Sequence, residues 1–358
     1  MKTENKAVPV ENPVIDGADL KRNGYYRAAV IGLGSISQVH IKALQDLGIE
    51  VTAVCDIKPE PATAVAGKLN CAHYTCYETM LKAGGFEVLH NCLPHYLHAP
   101  ISIAALEKGF HVVCEKPMAT TVADAKAMIA AADKTGARLE IIFQNRYNPA
   151  TQAIKKALSS GELGQTKGGW LRVTWYRGED YYAQNDWRGY WATEGGGALI
   201  NQSIHTFDLM NYFLGDPTGV SASVANRAHP SIEVEDVAEG LISYGDVKIS
   251  FYINTFHPYN APVALEIVCE NGTAALCGKI ATITYKDGRE AATHISDTTE
   301  NVHTKDYWGY SHIRQIAAFY DSLAGKPTQG VCGAEGFRTQ KLVNGIYDSS
   351  KLCKPVIL

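Results

Sequence analysis

Three groups of residues have the types and spacing to do chemistry. Gly32-Leu33-Gly34-Ser35-Ile36-Ser37 follows a β-branched apolar run and opens a helical pattern. Glycines placed this way let the backbone turn tightly and approach a pyrophosphate at a helix N-terminus, where unpaired N–H groups and the helix dipole favour an anion. Ser37 stands where the third glycine of a G-x-G-x-x-G pattern would be. Asp56 ends the next apolar run, 22 residues after Gly34, where a carboxylate accepts hydrogen bonds from both hydroxyls of an adenosine ribose. Its charge repels a 2′-phosphate, so NAD is the expected cofactor and NADP the less favoured one, with Lys58 the residue that would serve it. The plainer alternative is a helix-capping glycine turn beside a surface aspartate.

The second group, Glu115-Lys116-Pro117, ends the run Val112-Val113-Cys114. Open α/β sheets present ligand-binding groups at the C-terminal ends of their strands. Glu115 and Lys116 are therefore either a solvated ion pair or a site in which the Lys116 ammonium stabilises an alkoxide as hydride leaves its carbon. In the third group, Glu194-Gly195-Gly196-Gly197 precedes a helical pattern carrying Asn201, His205 and Asp208 at i, i+4 and i+7, one face of an α-helix. His205 is a general base with polar neighbours setting its tautomer, or a core histidine satisfied by Asp208. Triple glycine makes poor helix and poor strand, so it signals close approach of other groups. Between Trp170 and Trp191 stand Trp175, Tyr176, Arg177, Tyr181, Tyr182, Trp187, Arg188 and Tyr190. Such side chains suit the C–H faces and hydroxyls of a pyranose, or else ordinary sheet packing and a subunit contact. Tyr310, in Tyr307-Trp308-Gly309-Tyr310, would add a further wall.

Positioning these groups requires two kinds of element. From Arg27 to about Arg146 short β-branched runs alternate with helical stretches, the signature of βαβ units around a parallel sheet of about five strands. Strands are predicted at 28–32, 51–56, 87–92, 111–114 and 138–143, with helices at 37–46, 61–68, 100–108 and 121–134. After Gly164 come longer strand-like runs with Gly, Asn-Gly and Asp-Gly turns, which predict a mostly antiparallel open sheet. It is interrupted by a helix over 198–214. Helices over 311–324 and 334–351 are expected to return to the first domain. The fold class is thus α/β: a doubly wound parallel sheet over 25–147, then an α+β domain over 148–358, preceded by a flexible arm over 1–24.

A chain of 358 residues is consistent with two domains at about 150 residues each. Apolar residues make up 46% and charged residues 20%, which excludes disorder. A net charge of −4 without a basic run gives no electrostatic basis for nucleic-acid or anionic-membrane partners, so small molecules are expected. The apolar runs fall far short of the roughly 20 residues that cross a bilayer. Residues 1–24 lack the apolar core of a signal peptide, so a cytoplasmic location is expected. Four of the nine cysteines, Cys55, Cys92, Cys114 and Cys269, sit in apolar runs. All nine are expected to be reduced, and without a C-x-x-C pair no metal site is expected.

Taken together, the glycine turn, Glu115-Lys116-Pro117 and the Gly195 to Asp208 segment resemble the Gfo/Idh/MocA family of nicotinamide-dependent oxidoreductases. Further matches are Pro94 with His98, Asn145-Arg146-Tyr147-Asn148-Pro149, Gly161-Glu162-Leu163-Gly164, Trp187-Arg188, and the late His312, Phe319, Gly325-Lys326-Pro327 and Ile346-Tyr347-Asp348-Ser349. The resemblance runs from about Arg27 to the C-terminus. It implies a Rossmann domain followed by an open sheet, the nicotinamide at the cleft between them, and homo-oligomers built through that sheet. It implies too that Gly32, Leu33, Gly34, Ser35, Ile36 and Asp56 hold the adenosine end, and that Pro94, His98, Glu115, Lys116 and Asn145 line the nicotinamide side. Trp187 and Arg188 would lie near cofactor or sugar. Lys116 would act at the reacting carbon and His205 as general base, with Tyr176, Arg188, Asn201 and Tyr310 about the substrate. Many sugar and inositol dehydrogenases of the family carry aspartate where this chain has Asn201, and an amide takes no proton. Base duty then falls on His205, oriented by Asp208, or is shared by a tyrosine. The activity implied is hydride transfer between a secondary hydroxyl of a sugar, glycoside or polyol and NAD, at the sugar's C3 in the sharpest form. Redox-neutral glycoside cleavage through transient oxidation and a sugar-sensing or NAD-sensing regulator are the alternatives.

Overall fold

A computed structural model of the protein describes residues 26–294, 311–328 and 330–358. The arm expected over 1–24 and the Tyr310 wall lie outside these residues. By contact density the chain divides into two units. The first runs through Glu115 and adds Lys126–Ile142 and His312–Gly333; the second comprises Lys116–Ala125, Phe143–Ser311 and Ala334–Leu358.

In the first unit β1 (Ala28–Ile31), α1 (Ser35–Asp46), β2 (Val51–Cys55), α2 (Pro59–Leu69), β3 (Ala72–Tyr74), α3 (Tyr77–Ala83), β4 (Val88–Asn91), α4 (His95–Leu106), β5 (His111–Cys114), α5 (Val122–Thr135) and β6 (Leu139–Ile141) alternate. The six strands are parallel in the order β3-β2-β1-β4-β5-β6. Small and β-branched residues make β1 wholly buried, as strands covered on both faces must be. Ile41 and Leu44 of α1 enter one core with Val30, Val54, Ile316 and Phe319; each such side chain contributes roughly 1.5–3 kcal/mol. Because the strand order reverses at β1, the turn after it opens at the switch point where such sheets bind ligands.

Two features of this unit differ from the sequence expectation. It gives five strands and passes over β3 and α3, since Ala72-His73-Tyr74 is too short to show a period. It also starts the fourth helix at Pro100, a residue that favours a first turn. The helix begins at His95 and carries Pro100 inside it.

The second unit holds a 3₁₀ turn at Gln144–Tyr147, α6 (Pro149–Ser159), β7 (Thr166–Thr174), α7 (Glu179–Ala183), a π-helical segment at Ala198–Ser203 running into α8 (Ile204–Leu214), and then β8 (Gly219–Ala225), β9 (Val237–Tyr244), β10 (Val247–Asn254), β11 (Ala264–Cys269), β12 (Gly272–Cys277), β13 (Ile280–Tyr285) and β14 (Glu290–His294). They form a nine-stranded sheet, order β14-β13-β12-β11-β7-β10-β9-β8-β15, with β15 (Val356–Ile357) at one edge. All pairs are antiparallel except β7 with β10.

Of the last two helices, α9 (Ser311–Leu323) is counted from His312 on with the first unit, whereas α10 (Gly333–Leu352) belongs from Ala334 on to the second. Within the second unit α10 is tied in by hydrogen bonds. Its Thr339 and Tyr347 hydroxyls donate to Asp208 and Glu235, and its Ser349 Oγ accepts from the Ala222 N–H. Among the described residues no helix is long and apolar enough to cross a membrane.

Candidate active site

In the first unit the glycine turn is built by exclusion. Gly32 has φ +80°, and a Cβ on it would lie 2.7 Å from the Cys92 carbonyl oxygen. Only glycine fits, and the turn after β4 packs directly against the turn after β1. At Gly34 a Cβ would meet nothing within 4 Å, so the approach to the first turn of α1 stays open. That helix has no side-chain cap, which leaves its leading N–H groups to an anion. Ser37, in the place of the third glycine, donates its hydroxyl to the Gly34 carbonyl at 2.7 Å and pins the turn. Asp56 accepts from the Leu33 N–H at 2.8 Å and the Lys58 N–H at 2.9 Å. The carboxylate is thereby aimed from the end of β2 at the glycine turn. Leu33 is buried, Ser35 exposed and Ile36 packed on the core. An open helix N-terminus, a glycine that admits close approach and an oriented carboxylate fit the pyrophosphate and adenosine ribose of NAD.

Pro94 is the N-cap residue of α4, and His98 is buried with Nε2 donating to the Leu93 carbonyl at 2.7 Å. His98 thus shapes the turn that flanks Gly32. Glu115 is buried beside two histidines: His40 Nε2 lies 3.1 Å and His312 Nε2 3.5 Å from its Oε1. Burial alone would raise its pKa, but hydrogen bonds from His312 and His40, and their charge, hold it well below the usual carboxylate range. The network continues from His40 Nδ1 to His90 Nδ1 at 2.9 Å and from His90 Nε2 to the Tyr320 hydroxyl at 3.0 Å. His40, Glu115 and His312 offer three ligand atoms within 4.8 Å of one another, a set that spacing along the chain did not reveal.

In the second unit Lys116 and Asn201 come together. Lys116 Nζ donates to the Asn201 backbone oxygen at 3.0 Å and to its Oδ1 at 3.2 Å. Asn201 Nδ2 donates to Glu194 Oε1 at 2.5 Å and to the Tyr181 hydroxyl at 3.4 Å. Glu194 is wholly buried, and its Oε2 accepts from the Gly189 N–H at 2.6 Å. Burial pushes its pKa up, against the hydrogen bonds from Gly189 and Asn201 and the charges of Arg188 and Lys116. His205, one turn beyond Asn201, is buried, with its ring edge-on to Phe143, and lines a cavity with Asn145, Asn148, Trp175 and Gln202.

The triple glycine is required by packing. A Cβ on Gly196, at φ +145°, would stand 1.9 Å from the Tyr347 hydroxyl oxygen, and one on Gly197 2.1 Å from the Glu235 carbonyl oxygen. Glu235, wholly buried, receives the Gly197 and Leu199 N–H groups at 2.8 and 2.9 Å and the Tyr347 hydroxyl at 3.0 Å. Burial pushes its carboxyl from 4.5 up to about 7 despite these bonds. It anchors the start of the π segment that carries Asn201.

One expected partnership is corrected. Asp208 does not orient His205; its oxygens receive Arg146 Nε at 2.7 Å, Arg146 Nη2 at 2.8 Å and Thr339 Oγ1 at 2.9 Å. Arg146 is buried, and a buried charge requires such a partner. Both residues lie in α8, where their spacing puts them one turn apart, but a guanidinium 62 residues away claims the carboxylate.

Arg188 lies over the Tyr181 ring at 4.5 Å and the Trp187 ring at 5.1 Å, so this part of the aromatic segment surrounds a cation beside the tyrosine that meets Asn201. Tyr176 is 55% exposed and its ring is not part of that cluster. Spacing missed Glu235 altogether, marked Tyr347 only as part of the late match Ile346-Tyr347-Asp348-Ser349, and read Glu194 only as the residue before the glycines.

Residues 26–143 match the family described as "Oxidoreductase family, NAD-binding Rossmann fold", and residues 151–275 match the "GFO/IDH/MocA C-terminal domain". An inositol 2-dehydrogenase of Salmonella typhimurium is 27% identical over 87% of this chain and 90% of that protein. A D-glucoside 3-dehydrogenase of Escherichia coli is 28% identical over 91% of this chain and 95% of that one. Among solved structures, the WlbA dehydrogenase of Bordetella pertussis, crystallised with NADH and UDP-GlcNAcA, superposes with a TM-score of 0.83 at 29% identity, covering 93% of this chain and 98% of the other.

Proposed function

The chain belongs to the Gfo/Idh/MocA family of nicotinamide-dependent oxidoreductases, and from that premise we propose that it oxidises a secondary hydroxyl of a sugar or glycoside with NAD, at C3 of the ring. The observation that carries the reading is the Lys116 ammonium held at 3.0 and 3.2 Å by Asn201, one turn before His205. When bound, NAD supplies the hydride acceptor. The chain's own groups do the rest. His205 takes the hydroxyl proton. Lys116 donates a hydrogen bond to the oxygen as negative charge develops, an interaction whose removal typically slows turnover by about 10²–10³-fold. Gly32, Gly34 and Asp56 hold the adenosine end. The same groups serve keto-sugar reduction in reverse.

Two features support the sugar and the carbon. The cluster of Tyr181, Trp187 and Arg188 offers aromatic faces and a fixed cation beside Asn201, suited to a pyranose. The E. coli relative named D-glucoside 3-dehydrogenase aligns across 91% of the chain. The test is incubation with NAD and a methyl or aryl glucoside, with the product identified by NMR. A 3-keto glycoside is expected. A keto group at another carbon would overturn the C3 assignment, and glycoside cleavage without reduced nicotinamide would move the reaction to redox-neutral chemistry.

We also propose that the chain forms a homo-oligomer through the second sheet. Trp170, Leu241, Tyr252 and Val268 lie exposed on one face of four adjacent strands. Sedimentation of the wild-type protein against Leu241→Glu tests it: a dimer or larger species that dissociates in the variant is expected, and a wild-type monomer would refute it.

A further inference from the structure

The geometry points to Glu194 as the positioning residue of the site: its buried carboxylate fixes which end of the Asn201 amide faces Lys116. This rests on the carbohydrate dehydrogenase reading. An asparagine amide has two ends, an acceptor oxygen and a donor NH₂, and either can be turned toward a neighbour. A lysine ammonium donates only, so Lys116 requires the oxygen. What prevents the amide from presenting its NH₂ is the group on the other side. Glu194 Oε1 receives Asn201 Nδ2 at 2.5 Å, and an ionised carboxylate only accepts. The acid is itself immobilised, because its Oε2 receives the Gly189 N–H at 2.6 Å and its side chain has no exposure.

Lys116, the Asn201 amide and Glu194 thus form a polar relay in which a cation and an anion are separated by one amide. The arrangement also accounts for an amide at position 201. A carboxylate there would put two like charges in hydrogen-bond contact, which strongly disfavours the ionised state of one of them. The negative charge stands one hydrogen bond further from the lysine, on residue 194.

Exchanging the acid and the amide between positions 194 and 201 keeps the relay's charges and donors in balance. In Asn201→Asp alone, two carboxylates face each other. In Glu194→Gln alone, Asn201 and Gly189 face the two separate ends of the side chain, so one of them meets an NH₂ in place of an acceptor. Combined, Glu194→Gln with Asn201→Asp restores the three bonds of the relay: the new amide oxygen at position 194 accepts from Gly189, its NH₂ donates to residue 201, and Lys116 still meets an acceptor. Each single variant is expected to lower kcat by about 10²-fold, the scale of losing one oriented donor at the reacting oxygen. KM for NAD should stay unchanged, because the residues assigned to the adenosine end are not touched. The double variant is expected to recover to within about tenfold of wild type, a rescue that simple loss of packing does not give. A double variant no more active than the worse single, or an Asn201→Asp enzyme as active as wild type, would overturn the assignment.

Melting temperatures of the four unliganded proteins decide the pairing even if wild type oxidises no sugar. Recovery of the melting temperature in the double variant is expected. Additive losses would overturn the pairing, and that outcome is distinct from failure of the carbohydrate reading, which would show as an inactive wild type.

Discussion

Replacing Glu235 with glutamine makes the anchoring of the triple-glycine turn measurable. Burial holds this carboxyl at about 7 instead of 4.5, so ionisation is harder in the folded protein than in the unfolded chain. The sign follows from linkage. The group's contribution to stability is fully present below pH 4.5, is lost as pH rises toward 7, and is level above. At about 1.4 kcal/mol per pH unit, that window removes about 3 kcal/mol from the wild type. The glutamine amide of Glu235→Gln does not titrate and loses nothing across it. The substitution adds a separate, pH-independent offset. The amide brings one acceptor to the Gly197 and Leu199 N–H groups now served by two oxygens, a mismatch of about 1–3 kcal/mol. Urea denaturation of both proteins at pH 5 and pH 8, followed by tryptophan fluorescence, reads the difference directly. The variant should gain on the wild type by about 2–3 kcal/mol between the two pH values. A stability difference that stays the same at both would refute the raised pKa and the burial argument behind it.

Three further perturbations follow from the site. Lys116→Met is expected to lower kcat by about 10²–10³-fold while leaving NAD binding intact, as read by steady-state kinetics and calorimetry; normal turnover would remove Lys116 from the chemistry. Asp56→Ala removes both the repulsion of a 2′-phosphate and the acceptor for the Leu33 N–H. It should raise KM for NAD about tenfold or more and narrow the preference over NADP, whereas an unchanged ratio of kcat/KM values would show that Asp56 does not select the cofactor. Gly196→Ala meets the Tyr347 hydroxyl at a backbone conformation few L-residues adopt, so a loss of about 1–3 kcal/mol or more and a lower melting temperature are expected; a protein as stable as wild type would contradict the close packing.

Much of the first unit was legible because its signals are local. The glycine turn, the strand before it and Asp56 lie within one βαβ repeat, and the physical reasons for each residue type act over a few positions. The structure adds that Ser37 holds the turn through its hydroxyl and that Asp56 bonds the turn it faces. Lys116 and Asn201 could be singled out by type, but their contact spans 85 residues and had no trace in spacing. Asp208 shows the limit of periodicity: spacing along α8 puts it one turn from His205, but the partner that claims the carboxylate is on another element. The role of Glu235, and that of Tyr347, had no trace either, because the groups they hold lie on other elements. Nothing local marks a glutamate before a strand, or a tyrosine late in a helix, as supports of a turn more than 30 residues away. The three residues of β3 carried too little pattern to count as a strand.

The central claim is that this chain moves hydride between a sugar's secondary hydroxyl and NAD. It is tested most directly by following near-ultraviolet absorbance of the wild-type protein with NAD while free sugars, inositols and alkyl or aryl glycosides are added in turn. Growth of the reduced-nicotinamide band with a carbohydrate bearing a secondary hydroxyl, abolished in Lys116→Met, is the predicted result. No reduced nicotinamide and no altered sugar with any member of the panel, from protein that binds NAD, would contradict it.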